Sequence, residues 1–205
     1  MQRGIIKKTF LAPLGKDNPV FAQILGICST LAVTNKLSNT FVMTTGVLFT
    51  TTLSSLTISL LRKLIPGRVR MMAETMIIAT YVIIVDIVLR AYLPDVWRQL
   101  GPYVGLIITN CIIMGRAEAF AMNNGPGLSL IDGLASGAGY SYVLLIIAFF
   151  RELLGTGTIL GFKVFGDWWH NWAVMVMAPG AFFMAAVFIW IVKGLILKDK
   201  TEAGK

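Results

Sequence analysis

Six apolar runs joined by short polar links constrain this chain more than any other feature. They are Val20 to Val33, Thr40 to Leu61, Met71 to Leu89, Tyr103 to Gly115, Leu130 to Phe150 and Ala173 to Leu197. An apolar helix needs about 20 residues to cross a hydrocarbon core about 30 Å thick, whereas about 10–14 suit a re-entrant or interfacial piece. The first and fourth runs are short and the other four reach spanning length. Composition agrees, with 56% hydrophobic and 14% charged residues. Soluble domains usually hold about 45–50% and about 25%. The expectation is an all-α, polytopic integral membrane protein with six transmembrane segments, forming one membrane domain over residues 1–205.

The order is short, long, long, and then the same again. Discontinuous helices in matching positions of two halves are the mark of an inverted repeat with a functional site near the midplane. The repeats are expected at about 20–91 and 101–197, the first segment of each being a short half-helix. The alternative is two ordinary spans whose flanks happen to be polar.

Orientation follows from the basic residues. Thirteen of the 18 Lys and Arg fall on one side: Arg3, Lys7, Lys8, Lys16, Arg62, Lys63, Arg68, Arg70, Arg116, Lys193, Lys198, Lys200 and Lys205. Lys36, Arg90, Arg98, Arg151 and Lys163 fall on the other. The positive-inside rule then puts both termini in the cytoplasm. Residues 1–19 are expected to form a cytoplasmic tail, since Lys7 and Lys8 interrupt the apolar run that a cleavable signal requires. Tyr92, Trp97, Tyr103, Trp168, Trp169 and Trp172 would line the opposite interface. The net charge of +8 is spread over segment ends, not along a stripe with interleaved aromatics, which excludes nucleic acid as the partner. The lipid bilayer is the surface it fits.

The chain has two cysteines, Cys28 and Cys111, one in each short run. Each lies about 8–9 residues into its segment, or about 12–13 Å of helix. Segments entering from opposite faces would bring the thiols together near mid-depth. Three readings stand side by side: small buried hydrophobes, a disulfide, and metal ligation. Iron–sulfur clusters take thiolates in fours, so two cysteines would need a second subunit with another pair. Gly26, Ser29, Thr109 and Asn110 are the neighbours suited to shield a charged group there.

The stretches around those cysteines carry a resemblance. Leu25-Gly26-Ile27-Cys28, Thr109-Asn110-Cys111, Gly115-Arg116-Ala117-Glu118-Ala119, Ser129-Leu130-Ile131-Asp132-Gly133 and Phe149-Phe150-Arg151-Glu152-Leu153 resemble the D-type membrane subunits of the bacterial Na+-translocating NADH:quinone oxidoreductase. The E subunit of the related Rnf ferredoxin:NAD oxidoreductase shares these motifs and is the nearest rival. The resemblance covers nearly the whole chain and is weakest at 155–171. It implies a [2Fe–2S] cluster in the inner membrane, held by Cys28 and Cys111 together with two cysteines of a homologous E subunit. It further implies a six-subunit complex with subunits A, B, C and F, flavins and NADH bound elsewhere, quinone reduction, and Na+ export. No nucleotide-binding motif is visible in this chain, so no activity is expected of it alone. Rivals from other classes are a small inverted-repeat transporter and a purely structural scaffold.

The remaining polar residues in the spans carry lesser expectations. Asp86 is expected to pair with Arg90 one turn on, or to line a Na+ path. Asp132 opens the fifth segment and reads either as a helix-start residue or as an oxygen ligand on that path. Glu118 is expected to pair with Arg116 or a partner subunit, and Arg151 with Glu152 at the interface. The hydroxyls crowding Thr44 to Ser59 suit close helix packing. Gly133, Gly137 and Gly139 suggest the same for the fifth segment.

Overall fold

The computed structural model describes residues 25–159, 162–163 and 177–202. Its helices are α1 (Ile27–Val33), α2 (Leu37–Leu61), α3 (Arg70–Tyr92), α4 (Pro94–Ile108), α5 (Cys111–Arg116), α6 (Pro126–Thr156) and α7 (Ala178–Glu202). A 3-10 turn at Gly67–Val69 leads into α3, and a π turn at Ala117–Ala121 continues α5. β1 (Thr158–Ile159) and β2 (Phe162–Lys163) form a two-residue antiparallel pair beyond α6. The expected tail at 1–19, the start of the first apolar run, His170 and the Trp168, Trp169 and Trp172 cluster lie outside the described residues.

Four stretches among these residues are long and apolar enough to cross a membrane: Leu37–Leu61, Gly67–Tyr92, Pro94–Ala121 and Pro126–Gly155. Pro179–Gly194, within α7, is a shorter apolar helix. The outward side of α3 is apolar too, exposing Met71, Met72, Met76, Ile83 and Ile87. A helix in water could not keep such a face uncovered, but lipid tails or neighbouring spans accept it.

The antiparallel pair α2 and α6 is the backbone of the bundle. Ser141 Oγ approaches the Thr44 carbonyl at 3.4 Å, and at the other end Ser59 Oγ donates to the Asn124 carbonyl at 2.7 Å. Between them a Cβ on Gly133 would lie 3.1 Å from both the Thr51 carbonyl oxygen and Thr52 Cα. The two backbones therefore run nearly in contact, as small residues permit between apolar helices. The hydroxyls of α2 mostly turn back on their own helix: Thr51 Oγ1 donates to the Val47 carbonyl at 2.6 Å and Thr52 Oγ1 to Leu48 at 2.7 Å. Bonded this way, they add little polarity to the seam.

The fourth apolar run differs from its expected form. The helix starts at Pro94, nine residues before Tyr103, because Pro94 to Pro102 is about two and a half amphipathic turns whose polar residues mask it in a hydropathy reading. Its polar face is used. Asp86 on α3 accepts from the Trp97 indole at 3.0 Å, and Arg90 lies over the same ring, 4.9 Å from its centroid. Asp86 and Arg90 thus both face Trp97 and do not bridge each other. What looked like a short half-helix is a long segment broken after Ile108.

Candidate functional site

The break has a local cause. Asn110 adopts an extended backbone (φ −68°, ψ 118°), and its side-chain oxygen accepts the Ile112 amide at 3.1 Å. That is the geometry of an N-cap residue, which satisfies one of the amides a new helix leaves open. Cys111 is consequently the first residue of α5. On the other short element, Gly26 has φ +85° and precedes α1, so Cys28 is the second residue of that helix. Both cysteines occupy the first turn of a half-helix, where amides have no intrahelical acceptor.

The two turns meet. Asn110 Nδ2 lies 3.4 Å from Ser29 Oγ and 3.4 Å from the Tyr140 hydroxyl. Tyr140 and Ser29 hydroxyls are also in contact. Ser29 follows Cys28 and Asn110 precedes Cys111, so residues adjacent to each thiol are bonded across 81 positions of sequence. Cys28 is exposed and Cys111 half-buried, both as free thiols.

α6 measures where this meeting point lies. At one end Asp132 is held by Arg116, the last residue of α5. At the other, Arg151 donates to Thr34 Oγ1, just past the end of α1. Tyr140 lies 8 residues from Asp132 and 11 from Arg151, about 12 Å and about 16 Å along a helix. The half-helices therefore run outward in opposite directions from a shared origin. That origin is near the middle of a segment whose total, about 28 Å, compares with a hydrocarbon core about 30 Å thick.

Several expectations are corrected at the ends of this array. Arg116 pairs with Asp132, and Glu118, in the π turn that continues α5, pairs with Arg70, the first residue of α3. Asp132 is not a helix-start residue: α6 begins at Pro126, so Asp132 lies beyond the first turn, where the dipole no longer dominates. Arg151 and Glu152 are both buried in the bundle, 2% and 7% exposed. Glu152 Oε2 accepts the Leu37 amide at 2.6 Å and so caps α2. Of the proposed neighbours of the thiols, Gly26, Ser29 and Asn110 come together, whereas Thr109 is exposed on the break.

Tyr140 is the participant that inspection of the motifs missed. It is 1% exposed. Its signal was available, because Asp132, Ser136 and Tyr140 recur every four residues and thus share one face of α6. Among the described residues no group of three or more His, Cys, Asp or Glu converges to hold a metal unaided.

A family model for the Rnf-Nqr subunit membrane proteins matches residues 6–189. The chain belongs to that family. Rnf-Nqr membrane subunits are parts of redox complexes, and the several long apolar helices agree with a multi-pass membrane protein. Helices α1 and α5 and their cysteines lie inside the matched range, so they are features of the Rnf-Nqr region itself.

Proposed function

We propose that this chain is the D-type membrane subunit of a Na+-translocating NADH:quinone oxidoreductase, where Cys28 and Cys111 supply two of four thiolates to an intramembrane [2Fe–2S] centre. The observation that carries the reading is the Ser29–Asn110 contact, which brings the two thiol-bearing turns side by side. The donor set fits half a cluster. It has two free thiols of the type that iron–sulfur centres take in fours, and no third ligand converges with them among the described residues. The other pair would come from the homologous E subunit, facing the exposed side of Cys28. When bound, such a centre accepts and releases one electron.

The protein's own residues do the rest. The first-turn amides of α1 and α5 offer hydrogen-bond donors where negative charge would reside, in a medium that has no water to provide them. The apolar side chains Ile112 and Ile113, both 0% exposed, exclude solvent from the inner side. Asp86 and Asp132 are proposed as oxygen groups along the Na+ route, with subunits A, B, C and F completing the complex in the inner membrane and both termini cytoplasmic.

The test is the electron paramagnetic resonance spectrum of the reduced complex, wild type against Cys28→Ser and Cys111→Ser. Loss of one [2Fe–2S] signal in both variants is the expected result; an unchanged signal in both rejects ligation by these residues. Reduction by NADH and not by ferredoxin would separate the proposal from the Rnf counterpart.

A further inference from the structure

Donor and acceptor accounting fixes how the protons run in the buried cluster at the break. Asn110 uses its carbonyl oxygen for the Ile112 amide, so its amide nitrogen, 3.4 Å from the Tyr140 oxygen, is the donor there. A hydroxyl has a single proton, and Tyr140 directs it to its other neighbour, Ser29 Oγ. Ser29 in turn donates to the Gly26 carbonyl at 3.1 Å. The order is Asn110 to Tyr140 to Ser29 to Gly26, and every side-chain proton in it has an acceptor.

The two ends of this relay are the cap residues of the two cysteine-bearing turns, Asn110 before Cys111 and Gly26 before α1. Tyr140 belongs to neither turn; it stands on α6, whose two ends are tied to the far ends of the same half-helices. The ring is also placed sterically. A Cβ on Gly26 would lie 2.7 Å from Tyr140 Cε2, so the glycine and the ring occupy complementary space.

From this we infer that Tyr140 is a positioning residue for the cysteine pair, its hydroxyl holding the two cap residues in register and thereby fixing the relative placement of the Cys28 and Cys111 thiols. It does not touch the sulfurs; it acts through Ser29 and Asn110. The redox consequence rests on the proposed ligation, whereas the mechanical consequence for the thiols does not. A phenylalanine at 140 fills the same volume and removes only the relay, so the bundle survives.

The experiment uses the intact complex and the full chain carrying Tyr140→Phe, Ser29→Ala, and both. In the complex, each single variant retains the [2Fe–2S] signal but changes its g-values and midpoint potential. The double variant moves little further than either single, because the two hydroxyls act as one unit. Spectra and potentials superimposable on wild type would overturn the inference. A second readout needs no iron: the rate at which a maleimide labels Cys28 in the full-length chain in detergent. Tyr140→Phe is expected to raise that rate several-fold, and an unchanged rate would overturn the positioning role. If Cys28→Ser leaves the iron signal intact, the ligand assignment fails, and the labelling rate alone decides on Tyr140.

Discussion

Arg116 holds both carboxylate oxygens of Asp132, with Nε 2.9 Å from Oδ2 and Nη2 on Oδ1. The pair joins the last residue of α5 to α6 at a level where Asp132 is 2% exposed. Its planar two-point geometry is one that guanidinium makes and ammonium cannot. Through it, the outer end of the Cys111 half-helix is fixed to the same helix that carries Tyr140.

Removing one partner of this pair leaves the other charged in an apolar setting, a change that costs about 3–5 kcal/mol when an ion pair is buried. Asp132→Leu and Arg116→Met are each expected to lower the unfolding temperature of the detergent-purified protein clearly. The double variant should recover a large part of the loss, since two apolar side chains can replace a buried pair. If the losses simply add, the two side chains do not act as a unit.

Gly26 is required twice over, by its left-handed φ of +85° and by the Tyr140 ring against its Cα. An alanine there meets about 1–2 kcal/mol of left-handed strain and also has to displace the ring. Gly26→Ala is therefore expected to lower iron content in the purified complex, with Cys28 and Cys111 both present. Gly67→Ala, where an added Cβ meets nothing, serves as the control and should retain wild-type iron.

Residue spacing revealed the membrane-spanning character and put one cysteine in each of the first and fourth apolar runs, because long apolar runs are local properties; the break before Cys111 was not legible, since Asn110 sits inside an unbroken apolar run. Pairings across the bundle were not legible. Arg116 had Glu118 two residues away and Asp132 sixteen away, and only the packing of α5 on α6 selects the latter. The helical stretch from Pro94 was hidden because Asp95, Arg98 and Gln99 lower its hydropathy, although the fold holds it against α3 through Trp97. The four-residue recurrence of Asp132, Ser136 and Tyr140 marked a polar face of α6, but which partners meet it, 30 and 111 residues away, is set only by packing.

The Asp86–Trp97 bond gives a contrast between two substitutions at one site. Asparagine at 86 keeps an oxygen acceptor for the indole N–H, whereas leucine does not. Hydrogen bonds to charged groups contribute about 1.5–3 kcal/mol. Asp86→Leu is expected to approach that loss in chemical denaturation of the detergent-purified protein, and Asp86→Asn to lose roughly half as much or less. Equal losses in the two variants would mean that the carboxylate charge, facing Arg90 across the ring, matters more than the bond.

Helix α6 supplies its own internal comparison between two glycines. At Gly133 an added Cβ would stand 3.1 Å from the Thr51 carbonyl oxygen and Thr52 Cα, both backbone atoms, and 3.2 Å from Ser55 Oγ. Backbone cannot swing aside as a side-chain tip can, so α2 and α6 must separate slightly along the whole seam. Overpacking of this kind costs about 1–3 kcal/mol. At Gly127 the same methyl meets nothing within 4 Å, and alanine there gains some of the roughly 1 kcal/mol by which it exceeds glycine as a helix former. Gly133→Ala should thus destabilise and Gly127→Ala should not, in parallel thermal unfolding of the two variants. Equal behaviour would show that the α2–α6 seam tolerates expansion, and with it that the spacing between the helices anchoring Thr44 and Ser141 is less tightly set than the Gly133 contacts imply.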